Sequence, residues 1–307
     1  MYSITFGYQP LTTKHSCYRM KKILLVVFAF IACYANAQFI NQLQFIRSYT
    51  PQEINQVFVS QGLPSGVLPV LYGAKAYKVI YNTVGGDSAP TIASGLVILP
   101  VAAPCKVGII SYQHGTTLVK ADVPSNQRGE WFISLAAAAQ GYIGVMPDYL
   151  GMGESPGMHP YQHAHTEATA TIDLIRAAKQ LGDTAGAPAN DQLFLMGYSQ
   201  GGHATMAAHQ LIQEKLDDVM HVTASAPMSG AYDMSGVMSE IMLSDDPYSN
   251  PFYLPYLFFG YNSVYHFYDS PSDIMVSPYD TLLPPLFDGL HTSGQVDAVM
   301  PNKPKLI

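Results

Sequence analysis

Cysteine is scarce: only Cys17, Cys33 and Cys105 occur in 307 residues. Two of them fall in or before a segment that reads as a removable leader, which leaves Cys105 alone. A secreted domain with one cysteine has no internal disulfide, so an apolar core must hold it together. Burial as a small hydrophobe beside the strand Val107–Ser111 is the expected place for Cys105. Charge is also sparse, at 12% of residues with a net of −7, and no basic run exceeds Lys21-Lys22. That excludes nucleic acid as a partner, because phosphate binding needs a basic patch. No internal repeat or low-complexity tract is present, which excludes a solenoid. What the chain does have is apolar content: 48% of residues are hydrophobic, enough to exclude global disorder. Its length suits one α/β domain with a sizeable core.

The apolar run Ile23 to Cys33 is too short for a membrane span. Met20-Lys21-Lys22 precedes it and Ala35-Asn36-Ala37 follows, the layout of a secretory signal cleaved after Ala37. Residues 1–19 carry no targeting logic and read as a non-native upstream extension. Residues 20–37 are then a signal peptide, and the mature protein, secreted or periplasmic, begins near Gln38. Ala32-Cys33 also permits a lipoprotein anchored through Cys33, although Phe30 fits that pattern badly.

Residues from Gln38 to about Leu71 read as a polar arm with a short helix around Gln52–Val59. Ala76 to Asn82 alternates like a strand, Val84-Gly85-Gly86-Asp87 is turn chemistry, and Ala93–Pro100 returns antiparallel. Strands then alternate with helices: Val107–Tyr112, Glu130–Gln140, Tyr142–Met146, Thr166–Leu181, Gln192–Met196, Gly201–Leu216 and Val222–Pro227. Such alternation predicts crossover units, a mainly parallel sheet flanked by helices, and a core over residues 38–233. After Gly230 aromatics and prolines crowd the chain, from Tyr248 to Tyr268. Residues 234–307 read as an inserted, aromatic-rich helical cap and the start of a further strand. Half of those aromatics are expected to pack as core, and the rest to line an apolar entrance.

Gly197-Tyr198-Ser199-Gln200-Gly201 is a Gly-x-Ser-x-Gly sequence between an apolar strand and an alanine-rich helix. A tight strand-to-helix turn forces strained dihedrals on the serine, and Gly197 and Gly201 let neighbouring chain pass. The context identifies Ser199 as a nucleophile. Acyl transfer also needs an oxyanion hole, with one N–H from the residue after the nucleophile and one from an earlier loop. Those are Gln200 and, in Gln113-His114-Gly115-Thr116, Thr116. The loop could otherwise be a plain strand-end turn. Asp148 precedes the serine, out of order for a triad acid, and reads as a structural group bonding amides of its glycine-rich loop. His203 reads as packing locally. His159, His163 and His165 have spacing that can bind zinc, but without cysteine or carboxylate they read as polar residues at a helix entrance. No metal or cofactor is called for.

Together the Gln113-His114-Gly115 loop, Asp148-Tyr149-Leu150-Gly151-Met152-Gly153, His159-Pro160-Tyr161, Gly197 to His203 and Ser229-Gly230-Ala231-Tyr232-Asp233 resemble the secretory lipase family of α/β-hydrolases. The resemblance runs from about residue 70 onward. It implies an α/β-hydrolase fold and hydrolysis of acyl or lipid esters through Ser199, with Gln200 and Thr116 at the oxyanion. In that family the triad acid and histidine follow the lid. Here only Met300 to Ile307 remain beyond it, so the final strands are expected to be missing and the fragment to be inactive. Asp233 and His291 are the available stand-ins, in the right order. A secreted peptidase on the same framework, or a dead remnant that binds apolar ligands, are the alternatives.

Overall fold

The computed structural model describes residues 38–244 and 246–301. The upstream extension, the signal peptide with its Cys33 alternative, and the strand approach at 302–307 lie outside the described residues.

Strand β1 (Ile40–Tyr49) leads into helix α1 (Pro51–Ser60). Thr50 and Glu53 form a reciprocal capping box there, and Ile54 and Phe58 bury one helix face. Such a cap satisfies two otherwise orphaned amides. Strands β2 (Ala74–Val84) and β3 (Pro90–Pro100) pair antiparallel. Then come β4 (Val107–Gln113), α2 (Phe132–Ala139), β5 (Ile143–Pro147), α3 (Ala164–Ala185), β6 (Ala189–Tyr198), α4 (Gln200–Lys215) and β7 (Ala224–Met228). The seven strands form one sheet in the order β1-β2-β3-β5-β4-β6-β7. Pairing is antiparallel from β1 to β5 and parallel across β5, β4, β6 and β7. Only β1 and β3 therefore oppose the common strand direction. This is the mainly parallel, helix-flanked sheet that the alternation of elements predicted, and the α/β-hydrolase architecture that the resemblance implied.

Side-chain alternation splits the core between the two sheet faces. Val97, Ile109, Val145 and Leu195 join Ile172 and Ile175 of α3 and Ile212 of α4 on one face. Leu96, Ile98 and Met146 join Phe58 of α1 and Leu135 of α2 on the other. Beyond β7 no further strand occurs among the described residues. Helices α5 (Val237–Met242), α6 (Tyr253–Tyr265), α7 (Tyr279–Leu282) and α8 (Ser293–Asp297) follow. They share a third apolar cluster containing Tyr161, Met242, Phe252, Tyr256 and Leu283. No helix among the described residues is long and apolar enough to cross a membrane.

The structure corrects two expectations here. The polar arm contains β1, an edge strand whose residues are mostly exposed. Register shifts at Ile40/Gln42 and Phe45/Arg47 interrupt its alternation, and a bulged edge strand loses the period that would reveal it. Cys105 is exposed rather than buried, because the strand starts two residues later, at Val107.

Ile109 on the central strand β4 is fully buried, whereas Leu43 on β1 is 43% exposed. Ile109→Ala is expected to lower unfolding free energy by about 2–5 kcal/mol. Leu43→Ala should change it by at most about 0.5 kcal/mol. Urea denaturation of the two variants checks the pair.

Candidate active site

Between the last residue of β6 and the first of α4 stands Ser199 alone, so one residue makes the whole reversal from strand to helix. It adopts φ 58° and ψ −121°, a region that costs a non-glycine residue about 1–3 kcal/mol unless its surroundings enforce it. They do. Its N–H donates to Met228 O at 3.0 Å, and its carbonyl accepts from Gly202 N at 2.9 Å and His203 N at 3.2 Å. A Cβ on Gly201 would lie 1.8 Å from Gln113 O, and one on Gly197 would lie 2.2 Å from Gly201 O. Glycine at both places is what lets β4, β6 and α4 close around the serine.

The side chain of Ser199 is half-buried and borders two hollows. A cleft of about 550 Å³ runs past Thr116, Asp122, Arg128, Glu130 and Tyr198. A smaller cavity of about 150 Å³ is lined by Met234, Met238, Met242, Tyr248 and Tyr161. Tyr253 and Ser199 border both. The loop after β4 carries Thr116 into the first of these. Gly115 N donates to Glu130 Oε2 at 3.0 Å, and Thr116 Oγ1 lies 3.1 Å from the Tyr161 hydroxyl. His114 is buried with its ring centroid 4.5 Å from that of Tyr149, and its Nδ1 lies 2.8 Å from Gly115 O. Gln200 begins α4, so its N–H falls outside the helical ladder and sits at the positive end of the helix dipole.

Directly beneath Ser199 lies a polar cluster. Glu167, 1% exposed on the first turn of α3, accepts from Gln200 Nε2 at 2.8 Å and pairs with His203 Nδ1 at 2.6 Å. Gln200 Nε2 also lies 2.7 Å from His159 Nε2, and His159 Nδ1 lies 2.7 Å from Leu150 O. A carbonyl can only accept, so His159 carries its proton on Nδ1 and Nε2 accepts from Gln200. Burial pushes His159 down to about 4, with Glu167 and the Leu150 carbonyl opposing only in part, so the ring is neutral. Burial also works against the charged form of His203, but the charge and hydrogen bond of Glu167 outweigh it and raise that pKa.

This cluster is the part of the site that the sequence reading missed. His203 reads there as local packing, whereas its partner comes from another helix. Glu167 was available as a signal: it is the lone acid in Ala164 to Thr171, where alanine and threonine predominate. Asp148 is structural but not as expected. Its carboxylate takes Ser94 Oγ and the amide of Ser125, not the amides of its own glycine loop, because burial turns it inward beneath Pro124–Asn126. The stand-ins are not brought together. Asp233 accepts from Gly236 N and Val237 N and so caps α5, while His291 Nδ1 pairs with Asp288 at 2.9 Å. His163 is the N-cap of α3, and among the described residues no His, Cys, Asp and Glu group could hold a metal ion. Of the crowded aromatics, Phe252 and Tyr256 are core, Tyr265 and Phe267 are exposed, and Tyr248 and Tyr253 border Ser199.

A family model described as secretory lipase matches residues 120–238. Among solved structures, a Legionella pneumophila protein described as a candidate hydrolase is 35% identical, with a TM-score of 0.79 over 88% of this chain and 73% of that one. The rice cell wall degrading esterase LipA from Xanthomonas oryzae is 26% identical, with a TM-score of 0.75 over 86% of this chain and 70% of its own. Candida antarctica lipase A shares 16% identity at a TM-score of 0.59 over 88% and 59%, a likeness of fold alone. No curated protein matches the chain. A sheet and an elbow of this kind, at this level of identity, place the chain in the secretory lipase family of α/β-hydrolases, a class of carboxylic ester hydrolases.

Proposed function

We propose that the protein is a secreted serine esterase acting on small carboxylic esters through a Ser199 acyl-enzyme. The observation that carries this is the strained bend that brings the Ser199 hydroxyl to the junction of a polar cleft and a methionine-lined cavity. Ser199 Oγ attacks the acyl carbon as its proton passes to a base from solution, the carbonyl π electrons move to oxygen, and the same proton is returned to the departing alkoxide. The Gln200 and Thr116 N–H groups receive the oxyanion, and collapse of the intermediate expels the alcohol. Water then hydrolyses the acyl-enzyme by the same route. The acyl group occupies the methionine-lined cavity and the alcohol leaves through the polar cleft. Export rests on the Met20 to Ala37 leader pattern and on the family's secretory character.

A serine hydroxyl is a weak nucleophile without a general base. Every hydrogen bond made by a described histidine side chain goes elsewhere: His114 to Gly115, His159 to Leu150 and Gln200, His163 to Thr166 and Tyr265, His203 to Glu167, His209 to Ser225, His221 to Asp217, and His291 to Asp288. Among the described residues no histidine side chain is bonded to Ser199, so turnover by these residues alone would rest on the oxyanion hole and substrate binding. Those two features alone still give about 10³–10⁴-fold over water in serine hydrolases stripped of a triad member.

Added imidazole, serving as a diffusible base, should raise hydrolysis of p-nitrophenyl butyrate by the chain at least about tenfold. The Ser199→Ala variant should show only the rate of imidazole in solution. Equal rates in the two proteins would remove Ser199 as the nucleophile. A cavity of about 150 Å³ is of the size that admits a benzene-sized group. Butyrate esters should therefore exceed palmitate esters in kcat/KM by at least about tenfold, and Met238→Trp should abolish that preference by closing the cavity. Gly201→Ala, which drives a Cβ into Gln113 O, is expected to cut Ser199-dependent turnover by about 10²-fold while far-UV circular dichroism stays near wild type.

A further inference from the structure

Gln200 contributes two separate groups to the site. Its backbone N–H faces the oxyanion, and its side chain is tied down beneath it. Both side-chain N–H bonds are committed, one to Glu167 Oε1 at 2.8 Å and one to His159 Nε2 at 2.7 Å. Glu167 uses its other oxygen on His203 Nδ1 at 2.6 Å. Gln200 and His203 stand three apart on the first turn of α4, hence on one helix face. A single carboxylate thus grips the turn that carries the amide next to the nucleophile. The opposite end of the chain of bonds reaches Leu150 through His159, so loop, α3 and α4 are locked together.

Burying a carboxylate at 1% exposure is costly, and a buried ion pair is weak support for stability compared with apolar packing. A negative charge at a helix N-terminus is favourable, but an apolar residue would fill the same space without desolvation. The carboxylate does what an apolar side chain cannot: it fixes the rotation of the turn by directed bonds. Resting on the proposed acyl-transfer role of Ser199 and Gln200, we propose that Glu167 is a positioning residue for ester hydrolysis. It acts through the Gln200 side chain to hold the Gln200 backbone N–H on the oxyanion, with His159 and His203 completing the clamp.

Glu167→Gln tests this, because a neutral amide presents an N–H₂ to one of two groups that both donate. Ser199-dependent turnover of p-nitrophenyl butyrate in the presence of imidazole should fall about 30-fold in kcat, with KM within about threefold, since the lost interaction forms only in the transition state. Amide hydrogen exchange at Gly202 and His203, whose N–H groups donate to Ser199 O, should quicken about tenfold, while Ile109 to Ser111 on β4 keep wild-type protection. A kcat within about twofold of wild type, or unchanged protection at Gly202 and His203, overturns the proposal. Should the wild-type chain show no Ser199-dependent turnover, the functional reading itself fails, and the exchange comparison alone decides the positioning role. Where Glu167→Gln does not fold, Gln200→Met takes its place. It keeps the backbone N–H and deletes the tether, and the same kcat loss and faster exchange are expected.

Discussion

The positive-φ backbone at Ser199 is held against its own preference by the strands and helix packed around it. Its N–H reaches Met228 O at the end of β7, and its carbonyl receives the amides of Gly202 and His203 in the first turn of α4. The approach of Gln113 O to Gly201 leaves no room for a side chain there. If any of these elements shifted outward, the residue would relax to an ordinary conformation and the hydroxyl would leave the cleft. The order of strands in the sheet, with β4 and β7 on either side of β6, is what supplies both neighbours. Strain at a functional residue persists only when the rest of the fold over-determines it, and here the parallel half of the sheet does so.

Charge enters the interior at few places, Asp148 and Glu167 among them, and Glu167 is bonded to that same turn. Glu167 links the first turn of α3 to the first turn of α4, and neutral His159 extends the chain of bonds to the loop after β5. Polar networks in a low-dielectric interior are either fully satisfied or damaging. This one is satisfied by the choice of tautomer at His159, which burial keeps neutral. Above it the surface divides by chemistry. Arg128, Glu130 and Asp122 line one approach to the serine, and methionines of the helical region after β7 line the other. Methionine side chains adapt their shape to what they touch, and the tyrosines add rigid walls, with Tyr161 and Tyr256 stacked at 4.4 Å between centroids.

Much of this was legible in the order of residues. The alternation of apolar runs with helical periods located every parallel strand to within a few residues. Gly197 to Gly201 between a strand and a helix marked the bend, because few other contexts place glycines on both sides of a serine at that spacing. The edge strand β1 escaped because its bulges break the two-residue period. Cys105 was misplaced because a strand boundary two residues away decides between burial and exposure. Asp233 and His291 looked usable because order along the chain says nothing about which partner a carboxylate meets first. Asp233 is taken up by the amides of α5, and His291 by Asp288.

By itself, then, the sequence determined the fold class, the place of the strand-to-helix bend at Ser199 and the loop that faces it, since each depends on local period or on backbone freedom within a few residues. Only the tertiary structure decided that Glu167, His159, Gln200 and His203 form one buried cluster. The bonded pairs among them lie up to 41 residues apart along the chain and carry no local signature. Hydrogen bonds act over about 3 Å of space, and only the packing of α3 against α4 brings these groups within that range.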